Sequence, residues 1–121
     1  MQQLNIVEQL NYIYYNYEPW HTTRMLEPEA TKYHKTRYEN GDIYPYIEDG
    51  KVLGYYERYF KYNTCILFNI WIDENCRRGK VFKALRKHFF DTMPRNITLV
   101  IGEKQKLGGK VVMERIKHGK Y

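Results

Sequence analysis

The sequence predicts a single mixed α/β domain spanning residues 1–121, with helices layered on a mixed central sheet, a βαβ unit and a closing C-terminal β-hairpin. Three observations carry this expectation. Asn40-Gly41 and Asp49-Gly50 are strong turn dipeptides, residues 65–72 form an apolar run, and an amphipathic helical repeat follows that run after a short polar turn. At 121 residues there is room for one domain and little more. A hydrophobic fraction of 43%, including 13 Tyr, 5 Phe and 2 Trp, supplies a core. The mean hydropathy of −0.74 understates this, because tyrosine scores as polar but packs as an aromatic.

The elements follow in order. Ile6, Leu10 and Ile13 recur at one helical face, with Val7, Tyr14 and Tyr17 beside them, which predicts a first helix over residues 5–17 that Pro19 ends. A charged stretch follows, and Pro28 starts a short helix over 29–38. Asp49-Gly50 then joins strands 43–48 and 51–58 in a hairpin, with Pro45 pushing the first strand to a sheet edge. The run Cys65-Ile66-Leu67-Phe68-Asn69-Ile70-Trp71-Ile72 reads as a fully buried central strand. A polar turn over 73–79 leads into a helix over 80–93 whose apolar face is Phe82, Leu85, Phe89 and Met93, stopped by Pro94. Residues 97–101 are the next strand, parallel to the central one by the logic of a βαβ crossover. A short link over 102–109 precedes a last strand over 110–116, which pairs with Lys120 and Tyr121 across the turn at Gly119.

Several classes of protein are disfavoured. No run of 18 apolar residues and no cationic start followed by an apolar stretch occurs, so neither a membrane span nor a secretory leader is expected and the chain reads as cytoplasmic. Cys65 and Cys76 have no CxxC spacing and read as reduced thiols. His21, His34, His88 and His118 are scattered, so no metal site is expected. Charge is split along the chain: residues 1–76 carry 7 cationic and 11 acidic side chains, residues 77–121 carry 13 and 3. The basic third would attract a phosphate-rich partner, either a nucleotide cofactor or a nucleic acid. Nucleic acid is the weaker reading, since no RRM, KH or zinc-finger signature is present and the basic residues alternate with core positions on one helix.

The chemistry concentrates at Ile72-Asp73-Glu74-Asn75-Cys76-Arg77-Arg78-Gly79-Lys80-Val81-Phe82-Lys83-Ala84-Leu85. A helix starting near Gly79 offers free N–H groups and a partial positive charge, and Arg77, Arg78 and Lys80 add formal charge beside it, an arrangement suited to a diphosphate. The competing reading is a solvated turn with Phe82 as a core anchor. Together with the order of elements over residues 43–121, this stretch resembles the GCN5-related N-acetyltransferases (GNAT). Their central strand ends in V-x-P-x-x-(R/Q)-x-x-G-x-(G/A), and their amides grip the pyrophosphate of acetyl-CoA. Arg77 matches the family's Arg or Gln, and Ile72, Lys83, Ala84 and Leu85 match the flanks. Lys80 and Phe82 stand where the glycines would, and a bulky Phe82 would block the phosphate or change its path. Lys106-Leu107-Gly108-Gly109-Lys110 resembles the family's turn into its last hairpin, while the helix that usually precedes that turn is cut short.

The resemblance implies an acetyl-CoA-dependent N-acyltransferase with Ile72, Arg77, Arg78, Gly79, Lys80 and Val81 at the cofactor. The acceptor would be an amine on a small molecule or protein, drawn to the acidic N-terminal part of the chain. Such a reaction needs a carboxylate to take the amine's proton, directly or through water. The candidates are Glu57, Asp73 and Glu74, each of which also reads as a plain surface carboxylate. Tyr55, Tyr56, Tyr59 and Tyr62 would line an acceptor groove or simply pack across strands. Tyr12, Tyr14, Tyr15, Tyr17 and Trp20 make the first helix aromatic enough to bind a protein partner or a second copy of the chain in a homodimer. The alternative to an enzyme is an inactive GNAT-fold binding protein. Its concrete form is a phage protein inhibiting a host protein, suggested by known phage versions of this fold and by Tyr, Asn and Lys richness.

Overall fold

The computed structural model describes residues 2–17, 24–76, 79–104 and 110–118, with side chains described over 6–17, 24–76, 79–102 and 115–118. Two helices, α1 (Gln2–Tyr17) and α2 (Glu27–Glu39), precede strands β1 (Ile43–Glu48), β2 (Lys51–Lys61) and β3 (Thr64–Ile72). A 3-10 turn at Glu74–Cys76 leads to α3 (Lys80–Asp91), then β4 (Leu99–Lys104) and β5 (Lys110–Arg115). The five strands lie in sequence order, β1-β2-β3-β4-β5. All pairs are antiparallel except β3 with β4, which is the expected βαβ unit. Helix α3 covers one face of the sheet, and α1 with α2 covers the other. None of the described helices is long and apolar enough to cross a membrane.

Local chemistry accounts for each boundary. Pro28 occupies the first turn of α2, where its missing N–H costs nothing. Asp49 and Gly50 take φ of +52° and +78°, the paired left-handed conformation of a tight hairpin turn that Asp-Gly favours. Pro45 sits in β1 at the sheet edge. Helix α1 buries Ile6, Leu10 and Ile13 against Ile43, Val52, Tyr55 and Trp71. Helix α3 buries Val81, Leu85 and Phe89 on the opposite face, at about 1.5–3 kcal/mol for each side chain removed from water.

Three expectations need correction. Phe82 does not lead the buried face of α3: Val81 takes that place at i, i+4, i+8 with Leu85 and Phe89, leaving Phe82 48% exposed one step round the helix. Strand β3 is central but not fully buried, since Phe68 and Ile70 are exposed. The next strand starts two residues later than expected, at Leu99, because Ile97 is buried in the turn before it, with its N–H on the Pro94 carbonyl. The C-terminal hairpin is made by β4 and β5. The expected pairing with Lys120 and Tyr121, and the end of α1 at Pro19, lie outside the described residues.

The exposure of β3 has a cause that positions the site. β3 and β4 pair only from Thr64 opposite Leu99 to Leu67 opposite Gly102. On its other edge the β2 register slips between Glu57 and Arg58, so that Phe68 is an extra residue in β3. A bulge bends and twists the strand that carries it. From Phe68 onward β3 follows β2 while β4 follows β5, and the sheet splits.

Candidate functional site

The split opens beside the end of β3 and the start of α3. Ile72, half-buried, pairs with Gly54, and the Asp73 N–H donates to the Leu53 carbonyl at 2.9 Å, closing the strand. Asp73 then turns the chain: its Oδ1 accepts the Asn75 N–H at 2.9 Å and its carbonyl accepts the Cys76 N–H at 2.8 Å. Gly79 is the residue before the first turn of α3, at φ +105°, and its carbonyl accepts the Lys83 N–H at 2.8 Å. A Cβ there has room, 3.9 Å from Lys83 Cε, so the backbone conformation is what requires glycine. Among the described residues no side chain caps this end of α3. Arg77 and Arg78, expected at the cofactor, lie outside the described residues.

Gly54 sets how deeply α3 sits on the sheet. A Cβ at this position would lie 2.8 Å from Val81 Cγ1, 3.0 Å from the Trp71 carbonyl oxygen and 3.3 Å from Leu85 Cδ1. Val81 is accordingly a packing residue, so that only its backbone is available to a ligand. Lys80 is exposed and its ammonium meets Glu48 Oε1 at 3.1 Å, which raises the lysine's pKa. Such an exposed pair is worth little, and a competing anion can replace it.

An apolar cleft of about 190 Å³ runs from the split along α3, with Leu67 and Ile70 of β3, Val100 of β4 and Phe82, Phe89 and Phe90 of α3 on its walls. Phe82, half-exposed, is one of the lining residues. Arg86 also lines the cleft, with its guanidinium over the Phe90 ring at 4.9 Å. The sequence reading missed Leu67, Ile70 and Arg86 as site residues. Their only signal was an apolar strand longer than its parallel partner.

The three carboxylate candidates are not gathered in one place. Glu57 is 3% exposed and faces α2, where the Tyr33 hydroxyl and Arg37 Nε, at 3.0 Å, both donate to its Oε2. It ties α2 to the sheet, which corrects the expectation of a surface carboxylate. It lies opposite Asn69, four residues and about 13 Å along the strand from Asp73. Asp73 and Glu74 instead line a second cavity, of about 160 Å³, with Tyr17, Trp71 and Asn75, on the α1 side of β3. The Tyr17 and Trp71 rings are 5.6 Å apart and tilted by 30°. Of the other aromatic residues in α1, Tyr14 is buried, Tyr15 half-buried and Tyr12 exposed; Trp20 lies outside the described residues. Tyr55 and Tyr56 are buried in opposite cores, whereas Tyr59 and Tyr62 are exposed.

Two further groups make predictions. His88 Nδ1 lies 2.7 Å from the Tyr56 hydroxyl and its ring stacks on Tyr44 at 3.4 Å. Burial, and then the Arg58 guanidinium, lower the His88 pKa, an arrangement in which Tyr56 donates to a neutral ring. The unfolded ring therefore binds a proton more readily. The stability held by neutral His88 is complete above its ordinary value of 6.5 and declines as pH falls below it towards the lower folded value. Melting curves from pH 7.5 to 5 are expected to show this decline, and His88→Gln to lack it. Cys65 is fully buried and its thiol is pushed up to about 11, mainly by burial, while Cys76 is half-buried. Thiol titration is expected to find one fast group in the folded protein, lost in Cys76→Ser, and a second only in denaturant.

Solved structures share this architecture. Diaminobutyrate acetyltransferase EctA from Paenibacillus lautus, in complex with its substrate L-2,4-diaminobutyric acid and coenzyme A, is similar with a TM-score of 0.58 and 10% identity, over 88% of this chain and 68% of that one. PaiA N-acetyltransferase from Thermoplasma acidophilum, in complex with coenzyme A, gives 0.53 and 13% over 88% and 77%. No family model and no curated protein sequence matches the chain. The likeness is one of fold: this is a mixed α/β structure with a GNAT-like fold, as the sequence resemblance implied.

Proposed function

We propose that this protein is an acyl-CoA-dependent N-acyltransferase that moves an acetyl group from acetyl-CoA to an amine. The observation that carries the reading is the parting of β3 from β4 after Leu67, with an apolar cleft lined by β3, β4 and α3, on the strand that leads into the helix start at Gly79. Coenzyme A has a matching pair of ends, a charged diphosphate and an uncharged arm. The residues fit it: the amides at Gly79, Lys80 and Val81 would hold the diphosphate, with Ile72 at the end of the strand before them, and Arg77 and Arg78, which directly precede Gly79 in sequence, would add charge. Leu67, Ile70 and Phe82 would shelter the arm from water.

When bound, acetyl-CoA supplies a thioester whose carbonyl carbon bonds to the neutral amine as the C–S bond breaks, and the proton lost by nitrogen balances the one gained by sulfur. The chain's own part is to bind, orient and accept that proton. Asp73 and Glu74 are the candidate carboxylates that remain; they stand at the diphosphate end of β3, so the proton would reach them through a chain of waters. Glu57 is committed to Arg37 and Tyr33.

The test is thermal. Coenzyme A at 100 times its dissociation constant is expected to stabilise the protein by about 2.7 kcal/mol. Ile70→Asp, which puts a charge in the cleft wall, is expected to abolish this effect, its shift being read against the variant's own unliganded midpoint. Absence of any shift at millimolar coenzyme A would leave a GNAT-fold binding protein as the better reading.

A further inference from the structure

We infer that the acyl donor carries an apolar chain longer than acetyl, held at the inner end of the cleft between α3 and the sheet, an inference that rests on the transferase reading and names its donor class. An arm lying between β3 and β4 can go no further in than Leu67 and Gly102, because from that pair back to Thr64 and Leu99 the two strands are joined. The thioester would stop at that level. The cleft continues past it. Val100, opposite Cys65, lies two residues beyond Gly102, about 7 Å along the strand, and it lines the same cavity as Leu67 and Ile70. On the helix side the lining runs from Phe82 to Phe90, about 12 Å along α3.

An acetyl group ends in one methyl on the carbonyl carbon and would leave this inner end unfilled. A chain of about six carbons, with bonds of about 1.5 Å, spans it. The whole cleft holds about 190 Å³, roughly six water molecules' share of volume, which suits a short chain. Its inner walls are Phe89, Phe90 and Val100, and each methylene that they take out of water is worth about fourfold in affinity. Arg86, the charged residue of the lining, is exposed and holds its guanidinium over the Phe90 ring at 4.9 Å, so its methylenes add to the wall while its charge stays hydrated. The opposite face of β3 offers no such surface at this level, since Asn69 pairs in register with Glu57, whose carboxylate is held by Arg37. An apolar chain is therefore directed to the α3 side. The bonds made and broken are those of acetyl transfer, with only the group on the carbonyl carbon changed.

Calorimetric titration of the intact protein with acetyl-, butanoyl- and hexanoyl-coenzyme A tests this. The dissociation constant is expected to fall along the series, by about tenfold or more from acetyl to hexanoyl. Val100→Phe fills the inner end and Phe90→Glu puts a charge there, and in each folded variant the dependence on chain length is expected to disappear, whatever the absolute affinity. The series in the unaltered protein needs neither variant to fold. Equal constants along that series, weaker binding of the longer chains, or a preference for hexanoyl that survives in a folded variant overturns the inference. If acetyl-coenzyme A binds and chain length has no effect, only the donor class is wrong; if no coenzyme A derivative binds, the transferase reading falls as well.

Discussion

Gly54→Val is expected to lower the thermal midpoint by about 12 °C, because the helix α3 has no room to accept a side chain beneath it. The new Cβ alone would come within 2.8 Å of Val81 Cγ1 and 3.0 Å of the Trp71 carbonyl oxygen. Val81 is buried in the main core, and the carbonyl belongs to the strand paired with Gly54's own, so neither neighbour can give way cheaply. Overpacking costs about 1–3 kcal/mol, and losing glycine's freedom in the unfolded chain returns only about 0.4–1 kcal/mol. The γ-methyls of valine add to the crowding, which places the net cost at about 3 kcal/mol, and each kcal/mol is worth about 4 °C in a domain of this size. Urea unfolding is the check: the midpoint should fall with an unchanged slope. An unaltered midpoint would mean that α3 rides higher on the sheet than described.

Arg37→Ala is the second large change. It removes the cation from Glu57 and leaves a carboxylate that is 3% exposed with the Tyr33 hydroxyl still donating to it. Breaking a buried ion pair from one side costs about 3–5 kcal/mol. Arg37 itself is 24% exposed and Tyr33 remains, so about 2–3 kcal/mol is expected. Adding Glu57→Gln should restore part of the loss, because a neutral amide is easier to bury than a lone carboxylate. A double-mutant cycle measures that coupling. Additive losses would show that the pair does not act as one unit.

Much of the architecture was legible because its signals are local. The Asp49-Gly50 turn, the Pro28 helix start and the Ile6, Leu10, Ile13 face each express a preference that depends on nearby residues alone, and each element formed where it was expected. The parallel pairing of β3 and β4 followed from chirality once a helix was placed between them. What escaped was long-range. Phe82 and Val81 are both apolar neighbours on one helix, and only the depth allowed by Gly54, far away in sequence, decides which of them is buried. The apolar run at 65–72 looks uniformly buried, yet a register slip at Phe68 separates its second half from β4. That slip depends on how β2 pairs, and no residue in β3 announces it. Glu57 was visible as a carboxylate on a strand, but its partners Tyr33 and Arg37 are 24 and 20 residues away. The anion-site reading of the stretch after Ile72 rests on a strand end, a glycine and a helix start in succession, and a coenzyme complex is what tests it.

The decisive measurement is a crystal structure of the protein with coenzyme A. The account predicts a diphosphate on the amides of Gly79, Lys80 and Val81, the uncharged arm lying where β3 and β4 part, and Phe82 remaining in the cleft wall. Coenzyme A bound elsewhere, or a Phe82 ring folded over those amides with the split empty, would contradict it.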